Sequence, residues 1–496
     1  MFFAPVPATM NTTLIVFVVL YLLGTLAVGV WAGSRVKNTA DFAIAGRSLP
    51  LVMVITTTFA TWFGAETVMG IPAKFVQGGL GSIVEDPFGA GFCLILVGLF
   101  FATKLYRKNL LTIGDFYRQR YGKGVEVFCS VAIILSYLGW VAAQITALGL
   151  VFNVLTNGDM SPATGMVIGT LAVLVYVVVG GFLSVAWTDF IQMIVLVVGL
   201  SVIAVFSADL AGGADKVLDL ATRKELWKFF PEPSFTDVAM FIGAALTMML
   251  GSIPQQDVFQ RVMSAKDAQT AQRGAVIGGT AYILFAFVPM FIVTAAVVVM
   301  GNEVLELAAN DYQRVLPAFI MGKMPLFMQI LFFGALLSAI KSTSSATLLA
   351  PSTSFVENIL KQLRPGMTDK QQLLAMRWTI VVFAGLVLAY AMAMQGTSIY
   401  ELVSAAYQVT LVGAFVPLVM GLYWHRASTQ GAIFSLAAGV GVWIAFMPQV
   451  STWGEAFPGQ LAGLMAAFIG MLFGSLAPQW LTNRHEHVDH HLKPHP

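Results

Sequence analysis

Thirteen apolar stretches, each long enough to cross a lipid bilayer, constrain this chain more than any other feature of its sequence. A membrane-spanning helix needs about 20 mostly apolar residues. Here 58% of the 496 residues are hydrophobic and 10% are charged, whereas soluble domains carry roughly 25% charged residues. The sequence therefore predicts an all-α polytopic membrane protein with thirteen transmembrane helices. The predicted spans are 12–34, 50–76, 82–105, 125–154, 162–180, 185–209, 236–254, 272–300, 325–356, 373–394, 397–424, 429–448 and 456–480.

Lysine and arginine are distributed unevenly between the segments that connect these spans. Nineteen of the 27, Arg261 among them, fall on one side of the membrane and six on the other, while Lys74 and Lys341 lie within spans. Because cytoplasmic loops carry the excess of basic residues, we expect an outside N-terminus and a cytoplasmic C-terminus in an inner or plasma membrane. Lys74 lies near the outer end of its span, so we expect its ammonium to reach the lipid headgroups.

Several function classes are disfavoured by composition. A net charge of +2 is too small to indicate a nucleic-acid partner, and Cys93 and Cys129 lie in apolar runs that suggest neither a disulfide nor a metal cluster. The chain has no H-E-x-x-H motif, so we expect no enzyme, no catalytic residue and no cofactor. Five of the six histidines lie in residues 481–496, which we interpret as a solvated cytoplasmic tail, with metal binding as the alternative.

Two of the predicted spans are interrupted by glycine and proline. The second contains TWFGAETVMGIP (61–72) around Glu66, and the seventh contains MMLGSIPQQD (248–257) with Gln255. Glycine and proline are common in membrane helices, but interruptions at matching positions of two halves indicate a transporter binding site. We expect one transport domain, residues 1–480. Its predicted parts are an extra helix 12–34, five-helix repeats 50–209 and 236–424, and two extra helices within 429–480.

The ninth predicted span is unusually polar. Between Gly334 and Asn358 it carries nine serine and threonine hydroxyls and one lysine, Lys341. The hydroxyls can bond to carbonyls of the preceding turn, but a charge near the bilayer centre costs about 2.5–3.5 kcal/mol. Such residues usually face a bundle interior or a watery cavity, so we expect this helix to take part in ion binding and coupling.

Five sequence elements resemble the sodium:solute symporter family, which includes bacterial sodium/proline and sodium/galactose carriers. They are DFAIAGRSLP (41–50), LTIGDFYRQRYG (111–122), GGFLSVAWTDFIQ (180–192), QRVMSAKDAQTAQRG (260–274) and AIKSTSSATLLA (339–350). The resemblance implies the LeuT-type fold of inverted five-helix repeats. It also implies uptake of a small polar organic solute, coupled to a sodium gradient, by alternating access.

The resemblance also implies positions for the sodium ion. The family uses backbone carbonyls at the first helix break together with a carbonyl and two hydroxyls of the serine-rich helix. The matching residues here are Ala60, Phe63, Ala339, Ser342 and Thr343. Asp189 matches an acidic residue proposed to help sodium leave toward the cytoplasm. The alternative for Asp189 is an N-cap, because Thr-Asp precedes an apolar run.

Solute contacts implied by the sugar carriers of the family fall on four positions. These are Thr67, Asp86, Gln255 and Ser404. Because Pro87 follows Asp86, capping of a helix is an alternative role for this carboxylate. Thr67 and Ser404 replace longer polar side chains, which disfavours a simple sugar. Glu66, Glu85 and Asp86 suggest a solute with an amino or other cationic group.

Two residues depart from the family pattern. Trp62 stands where proline carriers have an aspartate that matters for sodium, and Lys341 stands where an apolar residue is usual. At ~5 Å and an effective dielectric of ~20, a charged lysine would oppose sodium by about 3 kcal/mol, more than a hundredfold in affinity.

Four interpretations of Lys341 are open. The ammonium pairs with Glu66, is neutral through desolvation, replaces sodium in a proton-coupled or sodium-independent carrier, or only packs in a polar crevice. A solute sensor that acts with a separate kinase is the alternative from another functional class.

Overall fold

The computed structural model describes residues 12–304, 307, 311–447 and 449–481. These residues form α-helices joined by short turns, several of them π-helical. The predicted tail beyond Leu481 lies outside the described residues. The α-helices are α1 Thr12–Gly33, α2 Thr39–Ile44, α3 Leu51–Trp62, α4 Ile71–Gly78, α5 Ala90–Leu96, α6 Ala102–Tyr106, α7 Ile113–Tyr121, α8 Lys123–Leu155, α9 Pro162–Leu210, α10 Ala214–Arg223, α11 Phe235–Gly251, α12 Gln256–Ser264, α13 Ala268–Met300, α14 Val315–Lys323, α15 Leu326–Phe355, α16 Lys361–Leu363, α17 Asp369–Ala393, α18 Ile399–Thr410, α19 Val416–Tyr423, α20 Thr429–Ala445, α21 Trp453–Ala456 and α22 Gly459–Leu476.

Helices that are long and apolar enough to cross a membrane dominate the described part of the chain. There are nine of them, or eleven when two bent helix pairs are each taken as one span. The 49-residue helix α9 covers two predicted spans, and α20, with 17 residues, falls short of the usual length. The total of thirteen spans and the repeat boundaries stay predictions.

Helix α9 leaves the helical conformation at Gly181, where φ is +51° and ψ is −144°. This is the left-handed side of the backbone map, which glycine adopts with little strain. A Cβ at this position would also collide with Phe42 of α2. The kink therefore separates the two predicted spans 162–180 and 185–209 and brings α2 against α9.

Helix α15 lies at the centre of the bundle and α1 at its edge. In the span Leu326–Leu363, which contains α15, 67% of the residues in its apolar segment are buried, whereas the corresponding share in α1 is 22%. Large apolar side chains such as Leu20, Trp378 and Phe473 are exposed on the outside of the bundle. A soluble monomer would not expose so much apolar surface, whereas lipid covers it at no cost.

Both predicted helix interruptions are present, and the second one differs in extent from the prediction. Helix α3 meets the segment Glu66–Gly78 at an angle of 57°, and α11 meets α12 at 45°. The predicted seventh span ended at residue 254, but α12 continues to Ser264. Arg261 is consequently a buried residue of this broken span, and its assignment to an inner loop was wrong.

Candidate functional site

The predicted ion-binding residues come together where α3, α9 and α15 meet. Ser342 donates a hydrogen bond to Asp189 (Oγ–Oδ1 2.6 Å), and Thr57 donates one to the other carboxylate oxygen (Oγ1–Oδ2 2.5 Å). Thr343 donates to the backbone carbonyl of Thr61 at 2.7 Å. Helix α3 ends at Trp62, so its last carbonyls lie beside the hydroxyls of α15. The result is a buried group of hydroxyl, carbonyl and carboxylate oxygens, the ligand type that a hard cation prefers.

The three remaining predicted sodium positions are buried at the same junction. Ala60 and Phe63 lie on either side of the end of α3, and Ala339 lies one turn before Ser342 on α15. Phe63 has φ −88° and ψ +69°, outside the helical region, so the α3 ladder of hydrogen bonds stops there. A helix that stops inside the bundle leaves carbonyl oxygens without helical partners.

Asp189 does not cap a helix. It lies in the interior of α9, whose own N-cap is Ser161, and both of its oxygens accept bonds from hydroxyls of neighbouring helices. The capping alternative was wrong because the bend that separates the two spans occurs eight residues earlier, at Gly181.

A buried guanidinium next to this group was missed by the sequence reasoning. Arg261 donates to the carbonyl of Asp257 (Nη1–O 2.6 Å), to the carbonyl of Thr57 (Nε–O 3.3 Å) and to the hydroxyl of Thr61. The carboxylates of Asp189 and Asp257 both interact electrostatically with it. The signal that could have revealed it is the sequence QDVFQRVMS after Pro254, which places Arg261 one turn from Asp257 on a continuing helix.

Lys341 points away from the ion-binding group. Its Nζ donates to Thr25 Oγ1 of α1 at 2.5 Å and lies 4.8 Å from the centre of the Tyr176 ring. Tyr176 in turn donates to the Lys341 carbonyl at 3.1 Å. One turn earlier, Ser338 bonds to Tyr21 of the same helix α1. The ninth span therefore has a second polar face, and that face binds α1.

The pairing of Lys341 with Glu66 was wrong. Glu66 is buried against α8, where Trp140 donates to its Oε1 at 2.9 Å and Gln144 to its Oε2 at 2.6 Å. The Gln144 carbonyl oxygen accepts the backbone N–H of Ala65 at 2.9 Å. These bonds fix the Glu66 carboxylate at the first helix break, on the α8 side.

Two of the four predicted solute contacts, Thr67 and Asp86, are linked through the hydroxyl of Tyr282. Thr67 and Tyr282 share a hydrogen bond of 3.0 Å between their hydroxyl oxygens, and Tyr282 donates to Asp86 Oδ1 at 2.5 Å. The backbone leaves the helical conformation at Asp86 (φ −141°, ψ +122°), where an N-cap would lie, but Oδ1 accepts the Tyr282 hydroxyl instead of a backbone N–H of the following turn. The capping role considered for the Asp86 carboxylate was therefore wrong. Asp86 Oδ2 has no hydrogen-bond partner among the described residues.

The other two predicted contacts lie on different partners. Gln255 donates to Ser136 of α8 at 2.8 Å, and its Oε1 has no hydrogen-bond partner within the described chain. Ser404 donates to Glu85 Oε2 at 2.6 Å. The structure thus joins Thr67 to Asp86 and Ser404 to Glu85, while Gln255 lies at the second break.

An aromatic cluster connects the two breaks, and it too was missed. Trp62 at the end of α3 lies 5.6 Å from Trp140 and 6.1 Å from Tyr407, measured between ring centres, and Trp140 lies 5.5 Å from Tyr407. Tyr137 stacks on Trp140 at 6.1 Å and donates to Asp257 Oδ1 at 2.5 Å. We call these four rings the central aromatic cluster. The i, i+3 spacing of Tyr137 and Trp140 on α8 was the available signal, but core packing produces the same spacing.

Three features define an ion-coupled membrane transporter. The bundle exposes apolar side chains to lipid, two of its helices are broken, and the breaks carry a buried group of oxygen atoms and a cluster of acids and aromatic rings. Within that class, the chain belongs to the sodium:solute symporter family, which it matches over residues 42–439. This confirms the family that the sequence motifs suggested. The family and its members give the activity of this protein, which is uptake of a small polar solute driven by sodium.

Known members support this assignment over most of the chain. The high affinity choline transporter 1 of Homo sapiens is 28% identical over 441 residues, which cover 86% of this chain and 75% of that protein. The sodium/sialic acid symporter NanT of Aliivibrio fischeri is 24% identical over 487 residues, covering 93% and 92%.

A solved structure of a Na⁺-coupled sialic acid symporter in a substrate-bound outward-open state superposes with a TM-score of 0.81 at 21% identity, covering 94% of this chain and 97% of that one. The predicted LeuT-type fold is thereby confirmed.

Proposed function

We propose that sodium binds between the end of α3 and the middle of α15. The ligands would be the carbonyls of Ala60, Phe63 and Ala339 and the hydroxyls of Ser342 and Thr343. What supports this is that these hydroxyls already lie against Asp189 and the Thr61 carbonyl. Asp189 would receive the ion on its way to the cytoplasm. In this proposal the protein lies in an inner or plasma membrane with its C-terminus on the cytoplasmic side.

Sodium, rather than the ammonium of Lys341, is the coupling ion in this proposal. The ammonium is bound to Thr25 and Tyr176, on the face of α15 that packs against α1 and α9. A lysine that replaced sodium would have to direct its Nζ to the oxygens around Asp189. The position of Lys341 therefore supports sodium coupling over the proton-coupled alternative.

We propose further that the solute is a small organic cation with a quaternary or tertiary ammonium group. Faces of tryptophan and tyrosine attract such cations, by about 2 kcal/mol or more when the site is desolvated. The observation that carries this proposal is the central aromatic cluster, with Trp140 hydrogen-bonded to the buried carboxylate of Glu66. The choline transporters among the relatives agree with this chemistry.

The charges of the buried acids support the same solute class. Asp189 and Asp257 lie within electrostatic range of the Arg261 guanidinium, and sodium would add a second positive charge near them. Glu66 and Asp86 accept hydrogen bonds only from neutral donors among the described residues. Because buried carboxylates without counter-charges are costly, a cationic solute would stabilise the region around Glu66 and Asp86.

Uptake of radiolabelled choline into proteoliposomes tests the proposal. We expect uptake that needs an inward sodium gradient and is competed by other trimethylammonium compounds. Trp140→Leu should raise the KM for choline by about tenfold to thirtyfold, because it removes one ring face. Trp378→Leu is the matched control, since Trp378 is 63% exposed on the outside of the bundle.

The possible results separate the two parts of the proposal. Sodium-driven uptake of a neutral solute, with no uptake of choline or other ammonium compounds, would overturn the substrate class and leave sodium coupling intact. Choline uptake that follows a pH gradient without sodium would overturn the coupling ion instead.

A further inference from the structure

Two adjoining cavities open at the end of the bundle that we predict to face outside. The larger has a volume of about 630 Å³ and the smaller about 150 Å³, and both are lined by Asp311, Gln313 and Ser398. The smaller one reaches Lys74, Tyr400 and Glu401. A solute that enters from this end would meet these three side chains before the buried acids.

Lys74 does not extend to the lipid headgroups as the sequence suggested. Its Nζ lies 4.0 Å from the centre of the Tyr400 ring and lines the smaller cavity. This geometry is a cation–π contact with a ring that is itself 4% exposed. The ammonium therefore covers one face of the Tyr400 ring at the edge of the cavity.

Two carboxylates lie within electrostatic range of this ammonium, and one of them, Glu401, lines the same cavity. Glu85 and Glu401 both interact electrostatically with Lys74. Glu85 is 6% exposed, its Oε2 accepts the Ser404 hydroxyl, and its Oε1 has no hydrogen-bond partner among the described residues. A buried carboxylate oxygen without a donor is costly unless a cation or donor approaches it. The ring and the acids thus form a position suited to an organic cation.

We propose that the Tyr400 ring, Glu85 and Glu401 form an outer cation site, which Lys74 fills until the ammonium group of the solute displaces it. This inference rests on the proposed cationic substrate and adds an earlier binding step to it. Glu85 precedes Asp86 in the chain, so a cation that leaves the outer site reaches the Asp86–Tyr282–Thr67 group next. Exchange favours a quaternary ammonium over lysine, because the lysine ammonium is strongly hydrated and keeps its water more readily.

Displacement of Lys74 makes the site selective as well as accessible. A neutral solute of the same shape gains nothing from the ring and the acids that offsets the loss of the lysine contact. A cation replaces that contact with an equivalent one. The outer site would therefore discriminate charge before the solute reaches the central aromatic cluster.

Choline uptake by four variants in proteoliposomes tests this inference. Lys74→Met should lower the KM for choline by about threefold to tenfold, since the competing ammonium is gone. In a Tyr400→Leu background the same substitution should change the KM by less than about twofold, because the ring that both cations share is absent. Lys323→Met is the matched control for net charge: Lys323 pairs with Glu303 on the same predicted side and should leave the KM unchanged.

The uncharged isostere of choline, 3,3-dimethylbutanol, provides the second readout. We expect it to inhibit choline uptake more strongly in Lys74→Met than in the wild type, because the variant has no lysine contact for a neutral solute to displace. Equal inhibition constants in the two proteins would overturn the displacement of Lys74. Thermal unfolding of each variant in detergent checks that the fold is retained.

Each outcome bears on one proposal or the other. Normal choline uptake with an unchanged or raised KM in Lys74→Met overturns the outer cation site alone. An equal fall of the KM in the Tyr400→Leu background also overturns it. Failure of the wild-type protein to transport any ammonium compound overturns both the proposed substrate class and this inference.

Discussion

Removal of the Lys341 charge should leave sodium coupling intact and raise sodium affinity only moderately. Its ammonium lies on the face of α15 that packs against Thr25 and Tyr176, turned away from the ion-binding face. We take a separation of ~10 Å from the ion, on the order of the width of a helix with its side chains. At an effective dielectric of ~20 the repulsion between two unit charges at that distance is about 1.7 kcal/mol, or roughly 17-fold in affinity. The closer approach considered from the sequence gave more than a hundredfold.

The assay is sodium activation of solute uptake in proteoliposomes that contain wild-type protein or Lys341→Met. We expect the variant to keep its sodium dependence, with a half-saturating sodium concentration lowered by at most about 17-fold. Removing a buried ammonium that has no carboxylate partner among the described residues should also leave thermal stability unchanged or raised. Lys323→Met, at a surface ion pair, controls for net charge. Loss of sodium dependence in Lys341→Met, or a change in sodium affinity beyond a hundredfold, would refute the reasoning.

Three further substitutions follow from the same contacts. Ser342→Ala should raise the half-saturating sodium concentration by about tenfold, because a ligand hydroxyl is lost; Ser344→Ala, whose hydroxyl bonds back to a carbonyl of its own helix, should not, and equal effects would count against the ion site. Arg261→Met should lower thermal stability by about 3–5 kcal/mol, since it leaves buried acids without their cation, and a stable variant in a thermal melt would contradict that role. Asp267 caps α13 outside the membrane, and its bond from the backbone N–H of Thr270 lowers its pKa. Its stabilisation should therefore be complete above the unfolded pKa of ~3.9 and be lost as pH falls through the lower folded pKa. Asp267→Asn should remove this contribution to acid sensitivity in melts between about pH 2 and 5, and an unchanged profile would exclude a stabilising role for the Asp267 carboxylate.

The helix interruptions and the hydroxyl-rich face were predictable because backbone chemistry marks them in the sequence. Glycine and proline around Glu66 and Gln255 identified both breaks. The spacing of Ala339, Ser342 and Thr343 placed them on one face of a helix, and the resemblance to the symporter family implied that this face lies near the first break. Their assignment as sodium ligands stays a prediction. Helix breaks and polar helix faces are determined by residues close together in the sequence, so a single sequence is enough to predict them.

The contacts that depend on packing between distant helices could not be read in the same way. One of the four interpretations paired Lys341 with Glu66, but the orientation of α15 directs its ammonium to Thr25, more than 300 positions away in the sequence. Arg261 was placed in a loop because Pro254 suggested the end of a span, whereas the helix resumes after the bend. The central aromatic cluster has rings from three helices. From the sequence alone, aromatic side chains that form a binding surface cannot be distinguished from those that pack in a core.

Helix α1, although most of its surface faces lipid, is mechanically joined to the ion-binding helix. Tyr21 and Thr25 bond to Ser338 and Lys341 of α15, so movement of α15 relative to α3 should carry α1 with it as one body. A spin label at Leu20, which is 58% exposed on the opposite face of α1, would then report sodium-dependent motion of the core without altering a single ligand. The extra N-terminal helix, which lies outside the predicted repeats, would thus report from the surface of the bundle on events at the buried ion site.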